Sequence, residues 1–232
     1  VDKVGQISAS RNRWKDRFVA LDAFVVRDRE ATPRLVEIAW STFDGCDTFH
    51  TESSLVQPDT LDCESDYTEL LLASRRITPQ DLRDAPTFET VLRERLSKID
   101  TPTWVGHWLD GILSCLAHER TVAERTAGSL REFVPRPTLL VCTQNYERVR
   151  HPIVSSALKR VSRRYNIHYQ GGTTVDRAVT CGRVLCAIMH ELPDDADEMA
   201  AKMREMRGEA SRPRSSVYHG DRGSHTHKRR RR

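Results

Sequence analysis

The hydrophobic pattern changes period along the chain. From Arg17 to Val26, "RFVALDAFVV", apolar residues run almost unbroken, as in a strand covered on both faces. "LVEIAWSTFD" (35–44) places apolar side chains at alternate positions and predicts a second strand, and "DTFHTESSLV" (47–56) predicts a third, weaker one. Charged turn residues 27–34 and the Gly45 corner join the three as a meander. Beyond them the period turns helical. "TPQDLRD" predicts a short helix, with Thr78 able to cap it and Pro79 at its first position. In "TFETVLRERLSKI", residues Phe88, Val91, Leu92, Leu96 and Ile99 form one helical stripe running to position 99. "TPTWVGHW" predicts a strand ending in a Gly-His corner, "LDGILSCLAHERTVAERTAGSLREF" a helix, and "PTLLVCTQ" the last strand. Two helices, "PIVSSALKRVSRRY" and "DRAVTCGRVLCAIMHEL", close the domain, and "PDDADEMAAKMREMRGEA" predicts an exposed, charged helical extension. Three meander strands followed by helix and strand in alternation imply an α/β layer fold without internal repeats.

Composition sets the domain organisation. With 232 residues the chain is long enough for one domain with a proper core plus tails. An apolar fraction of 38% beside a charged fraction of 30% fits a core diluted by solvated ends. The expected parts are a basic N-terminal extension over 1–16, with Trp14 as the first anchor, and a core domain over 17–192. The helical extension over 193–210 and a disordered basic tail over 211–232 follow. The net charge of +4 hides the asymmetry of that tail, which ends in Lys228, Arg229, Arg230 and two further arginines and holds a single acid, Asp221. No run of about 18 apolar residues and no signal-peptide pattern occurs, so the expectation is a soluble, intracellular protein with no membrane partner.

Several chemistries are weak or missing. The six cysteines (Cys46, Cys63, Cys115, Cys142, Cys181, Cys186) show no CxxC spacing and read as reduced thiols. Cys115 with His118 and Cys186 with His190 each sit at a helical spacing, so two such helices side by side could hold one zinc ion. The favoured alternative makes Cys115, Cys181 and Cys186 small core residues among Ile112, Leu113, Val184 and Leu185. "QGGTT" (170–174) lacks the lysine and glycine spacing of a P-loop, and no Gly-x-Ser-x-Gly elbow exists.

Four segments in order carry a resemblance. "RITPQDLRDAPTFETVLRERLSKI" (76–99) combines Ile-Thr, an acidic turn, Ala-Pro, one residue, Phe and an amphipathic helix. "VGHW" (105–108) is similar to a Gly-His-Asn corner, "LVEIAW" (35–40) to a second strand, and "PTLLVCTQ" to a strand that usually begins with Asp-Thr. Together, from Arg17 to Leu192, they resemble the DEDDh group of 3′-to-5′ exonucleases. That resemblance implies an RNase H-like fold, a mixed β-sheet of about five strands flanked by helices.

In that family four carboxylates hold two divalent metals about 3.5 to 4 Å apart, with a histidine as general base. The first motif, Asp-x-Glu, is matched here by Asp22 but has Phe24 at the glutamate. The next carboxylate, five residues after the histidine of the corner, falls on Ile112. The final histidine and aspartate fall on Gly172 and Arg177. Only Asp22 survives, and a lone aspartate beside a phenylalanine and an arginine cannot furnish the anionic oxygens that two Mg²⁺ ions need. Arg177 is expected to stand where a cation stood and to pair with Asp22, or else to be an exposed helix residue. An altered turn or a one-residue shift would instead offer Asp110 and Asp176 beside Asp22.

Binding residues are expected elsewhere. Lys159, Arg160, Arg163 and Arg164 lie within two helical turns, and Lys228 to Arg232 add five charges, a pattern that attracts phosphate or, for the first group, simply solvates a helix face. The terminal run reads as an import signal or a nucleic-acid contact, which would place the chain in the nucleus or another nucleic-acid-rich compartment. Trp108 replaces the family's asparagine and could present a flat face to a partner. His107 is expected to make a structural hydrogen bond. The chain is therefore expected to be a catalytically silent pseudoenzyme without cofactor, an RNA-associated or protein-interaction subunit of a larger assembly. The alternatives are an active 3′-to-5′ exonuclease using Mg²⁺ or Mn²⁺ at Asp22, Asp110 and Asp176, and a structural subunit that contacts no nucleic acid.

Overall fold

The structure, a computed structural model, describes residues 14–27, 32–59, 66–169 and 171–211. Most of the expected N-terminal extension, part of the first charged turn, Cys63 and the tail with Lys228, Arg229 and Arg230 lie outside the described residues. Strands β1 (Arg17–Arg27), β2 (Pro33–Asp44) and β3 (Asp47–Leu55) form the antiparallel meander. Strands β4 (Thr103–Gly106) and β5 (Leu139–Cys142) extend it in parallel beyond β1, giving the order β3-β2-β1-β4-β5. The strand at the centre, β1, is the one with the unbroken apolar run. Its Val19 and Leu21 enter one core cluster and its Phe18 and Ala20 another, all fully buried.

The helices in chain order are α1 (Asp66–Ser74), α2 (Pro79–Arg83), α3 (Phe88–Glu94), α4 (Leu109–Ala127), α5 (Thr143–Arg150), α6 (Leu158–Arg164), α7 (Thr174–Ile188) and α8 (Ala196–Ala210). Thr78 caps α2 through a reciprocal pair with Asp81, as its Thr-Pro start predicted. Helices α3 and α4 cover one face of the sheet, and α7 and α8 the other. Gly182 lets α7 approach closely, since a Cβ there would meet the Phe43 ring at 2.1 Å.

The structure corrects four expectations. The stripe over 87–99 is buried as predicted, but its helix ends at Glu94 and resumes as a tight 3₁₀ turn over Leu96–Lys98. Between them the Arg95 guanidinium reaches Glu52 Oε1 at 3.2 Å and the Ser53 carbonyl at 3.3 Å, both on β3. The helix expected from Pro152 begins only at Leu158, because the Ser155 and Ser156 carbonyls accept from Arg164 and His107 instead of a helical ladder. "PTLLVCTQ" stops being a strand at Cys142, and Thr143 opens the unpredicted α5. Nor is α8 an exposed extension: its Met199 and Met203 are buried against β5 and α5. Trp14 is buried in the same cluster, with its indole N–H donating to the Pro193 carbonyl at 2.9 Å.

The zinc alternative also fails on geometry. Cys115 is packed in the α3/α4 cluster while Cys186 packs against the α7/α8 cluster, so the sheet separates the two pairs. His190 is largely exposed, and Cys115 and Cys181 are buried thiols as the core reading proposed.

Burial assigns energies to these placements. Leu92→Ala and Met199→Ala should each destabilise the protein by about 2 to 5 kcal/mol in urea or thermal unfolding. A loss below about 0.5 kcal/mol at Leu92 would overturn the α3 packing, and at Met199 the docking of α8.

Candidate functional site

The site is built on the α7 face of β1 and β2. Register pairs Phe18 with Phe43, Ala20 with Ser41, Asp22 with Ala39 and Phe24 with Glu37, so one column of side chains runs from packed aromatics through small residues to two acids. The small residues receive α7, and its first turns clasp the acids. Thr174 Oγ1 donates to Glu37 Oε2, and one turn later Arg177 meets Asp22. Spacing three apart on the helix thus matches spacing two apart on the strands.

The Arg177 guanidinium engages Asp22 with two parallel bonds, Nε to Oδ2 at 2.5 Å and Nη2 to Oδ1 at 3.2 Å. The Asp22 side chain is 4% exposed and that of Arg177 31%. Burial pushes the Asp22 carboxyl above its usual range, and the two bonds from Arg177 pull it part of the way back. Burial alone would lower Arg177, but Asp22 and, after it, Tyr169 together outweigh burial and the guanidinium is held above its ordinary value. Beside this pair, Arg75 lies over the Phe24 ring, 5.1 Å from its centroid, and donates to the Gly172 carbonyl at 2.7 Å.

The Gly-His corner closes one side. His107 Nε2 donates to the Ser156 carbonyl at 2.6 Å, which leaves Nδ1 to accept from the Thr143 hydroxyl at 2.9 Å. Burial, reinforced by Arg177 and Arg148, lowers the His107 pKa from 6.5 to about 4 despite the Ser156 bond, so the ring is neutral and structural. The next residue, Trp108, has φ 86°, the left-handed region, and its indole is packed over Gly111, where a Cβ would meet it at 2.0 Å. Asparagine tolerates that conformation; a bulky residue is strained in it. Trp108 is nonetheless 49% exposed, so the strain holds a large ring in solvent.

Two divalent ions do not fit this set of donors. At the positions the exonuclease resemblance assigns to ligands, Asp22 is taken by Arg177, Phe24 lies under Arg75, and Ile112 is fully buried and apolar. The substitute acids are not gathered either. Asp110 is bound by Arg207 and lies 3.5 Å from Asn145 Nδ2, and Asp176 closes the capping box of α7 with Thr173. Among the described residues no group of three or more His, Cys, Asp or Glu is placed to hold a metal ion. Sequence reasoning missed Glu37 and Arg75. The signal for Glu37 was a carboxylate in the middle of the apolar "LVEIAW" strand; its place directly across from Phe24 is given only by the register.

The basic group divides. Lys159, Arg160 and Arg163 are exposed on α6. Arg164 instead neutralises Glu147, whose side chain is fully buried and also accepts from the Tyr165 hydroxyl at 2.6 Å.

Two outcomes follow from the corner. Because unfolded His107 takes up a proton near pH 6.5 and the folded one only near 4, its contribution to stability is complete above about pH 6.5. It is lost as pH falls to about 4, by an amount on the order of 3 kcal/mol. His107→Gln should remove that part of the slope in urea unfolding curves taken across the window, and an unchanged slope would place the titration elsewhere. Trp108→Asn should leave stability unchanged or raise it by up to about 1 kcal/mol, since the backbone strain is relieved. A loss of more than about 1 kcal/mol would show that the indole is a structural anchor.

No protein-family model matches the sequence, and no curated protein matches it. Solved structures do. Exonuclease X bound to 5′-overhanging duplex DNA superposes with a TM-score of 0.52 at 19% identity, over 80% of this chain and 97% of that one. The nuclease domain of 3′hExo, a DEDDh family member bound to rAMP, gives 0.54 at 14% identity over 76% and 92%. A 3′-exonuclease that recognises the 3′ end of the histone mRNA stem-loop gives 0.57 at 14% identity, over 76% of this chain and 64% of the longer one. With the strand order and helix placement above, these likenesses establish that the chain has the mixed five-stranded α/β fold of the RNase H-like exonucleases.

Proposed function

We propose that this chain is a nuclease-derived domain that binds single-stranded nucleic acid, RNA in the first instance, without cutting it, and that it works as a subunit of a larger assembly. The observation that carries the reading is the bidentate Asp22–Arg177 pair. It stands where the exonuclease resemblance puts the first metal ligand and the last, and it satisfies the one surviving carboxylate with a guanidinium. A guanidinium can hold a phosphodiester by hydrogen bonds, but it cannot generate a hydroxide nucleophile from water as a bound metal does. The reading therefore requires no cofactor.

Surface features near the cleft support binding. The loop that His107 anchors through Ser156 carries Ile153 and Val154, which are 95% and 51% exposed, and leads into the cations of α6. Exposed apolar side chains beside exposed cations suit a ribose-phosphate chain with unstacked bases, or a protein partner that covers the same loop. Structural neighbours seen in complex with duplex DNA and recognising an mRNA stem-loop share the fold and make nucleic acid the first ligand class to test. The Lys228 to Arg232 run would add salt-sensitive attraction, in a nucleic-acid-rich compartment such as the nucleus.

The test uses 5′-labelled single-stranded RNA with Mg²⁺ or Mn²⁺ present. The expected result is binding with the RNA left intact, weakened steeply by salt. Changing Lys159, Arg160 and Arg163 to Glu together should lower affinity by about tenfold or more at low salt. Metal-dependent trimming by the unmodified protein, abolished by Asp22→Asn, would overturn the silent reading. Salt-independent affinity or none would favour a purely structural subunit.

A further inference from the structure

Two thiols distant in sequence meet at the end of α7. Gly182 lies against the Phe43 ring, and one helical turn later Cys186 falls on the same face of the helix. Strand β2 ends at Asp44, which pairs with Asp47, so Gly45 and Cys46 form the short connection to β3. Cys186 Sγ reaches this connection and lies 3.9 Å from the Gly45 carbonyl oxygen. Cys46 follows Gly45 across a trans peptide, so its Cα is within about 3 Å of that oxygen. The two thiols are themselves in hydrogen-bond contact.

They differ in access. Cys46 is exposed and Cys186 partly buried, whereas Cys115, Cys142 and Cys181 are buried. Burial pushes the Cys186 thiol up, and the contact with Cys46 and the charge of Asp47 push the same way. Cys186 therefore stays protonated at neutral pH and is a poor first target for an oxidant. An oxidant arriving from solvent meets Cys46 instead. Asp16, Asp44 and Asp47 line the open recess beside it, which repels anionic reagents and admits neutral ones. Once Cys46 is oxidised, the second sulfur is already at hand.

We propose that Cys46 and Cys186 are a peroxide-responsive pair whose disulfide ties α7 to the turn between β2 and β3. Hydrogen peroxide transfers one oxygen atom to the Cys46 thiol, giving a sulfenic acid and one water. The Cys186 sulfur then attacks the Cys46 sulfur. The S–O bond breaks, the hydroxyl leaves with the Cys186 proton as a second water, and the S–S bond forms. Two thiols are oxidised and one peroxide is reduced, with no other reactant. Arg177 is near the start of α7 and Cys186 near its end, so the pair does not depend on the nucleic-acid reading of the cleft.

The test treats the full chain with hydrogen peroxide in mildly alkaline buffer, blocks free thiols with N-ethylmaleimide, and digests without reductant using Asp-N protease and trypsin. Cleavage leaves Cys46 on fragment 44–46 and Cys186 on fragment 184–193, apart from Cys63 and Cys181. The expected product is these two fragments linked within a monomer, with the melting midpoint of the intact protein raised by about 5 °C or more, because the bridge restrains a long loop of the unfolded chain. Dithiothreitol should reverse both changes. Cys46→Ser, at an exposed position, should melt like the reduced wild-type protein and show neither response, and Cys186→Ala should show neither as well. Absence of the linked fragments, or a link found only between two chains, would overturn the proposal. A linked pair with an unchanged or lowered midpoint would overturn it too, since α7 would not be tied in its folded place. So would a rise in midpoint that survives in Cys46→Ser.

Discussion

The placement of α7 hangs on the ion pair between Asp22 and Arg177. Asp22 projects from the central strand into a nearly dry space, where an unpaired carboxylate would cost several kcal/mol. Arg177 removes that cost only if α7 lies at one axial position, and Thr174 with Glu37 fixes the same position independently one turn earlier. The close approach at Gly182 and the small Ala20, Ala39 and Ser41 side chains then become possible, because the helix is held over them. A buried pair of this kind adds little net stability compared with apolar residues of the same shape, but losing one member costs on the order of 3–5 kcal/mol. Its effect is therefore on register more than on stability.

The same pair organises the cleft around it. Arg177 helps to keep His107 neutral, and a neutral His107 can hold both Thr143 and the Ser156 carbonyl. Thr143 in turn lies 3.6 Å from Cys181 on α7, so the corner, the start of α5 and the middle of α7 form one connected polar chain. The Ser156 bond draws residues 152–157 out of helical geometry and exposes Ile153 and Val154. A histidine that could have been a base is thereby an anchor for the loop beside the cleft.

Fold and site were legible to different degrees, for physical reasons. The sheet was readable because β1 is covered on both faces and β2 on alternate positions, and each burial leaves its own period in the sequence. Pairing of Asp22 with Arg177 was readable through the exonuclease resemblance, which aligns both with metal-ligand positions, whereas the residues alone left Arg177 equally open to being an exposed helix residue. Arg164 was misjudged because its partner, Glu147, belongs to a helix that the sequence signal did not separate from β5. The docking of α8 was hidden by composition: Met199 and Met203 are two apolar positions in a segment dominated by charge, yet they are the ones that face β5. Glu37 was overlooked because strand periodicity says which face a residue takes, whereas only the register says that it stands across from Phe24.

On the silent reading proposed above, charge balance is what would let the cleft do without metal ions. In a two-metal exonuclease site several carboxylates are neutralised by two dications, which offset the cost of gathering like charges in one cleft. Here the acid is reduced to Asp22 at the aligned positions, and one guanidinium neutralises it, so the local charge still sums to about zero with far fewer charges to desolvate. Phe24 under Arg75 and Ile112 in the core replace the other ligands by packing, which needs no counter-ion at all. On that reading the exonuclease-like backbone is kept while the demand for metal is removed. Surface cations on α6 and a strained, half-exposed Trp108 remain at its edge, and they are the groups that the proposed binding reading would use.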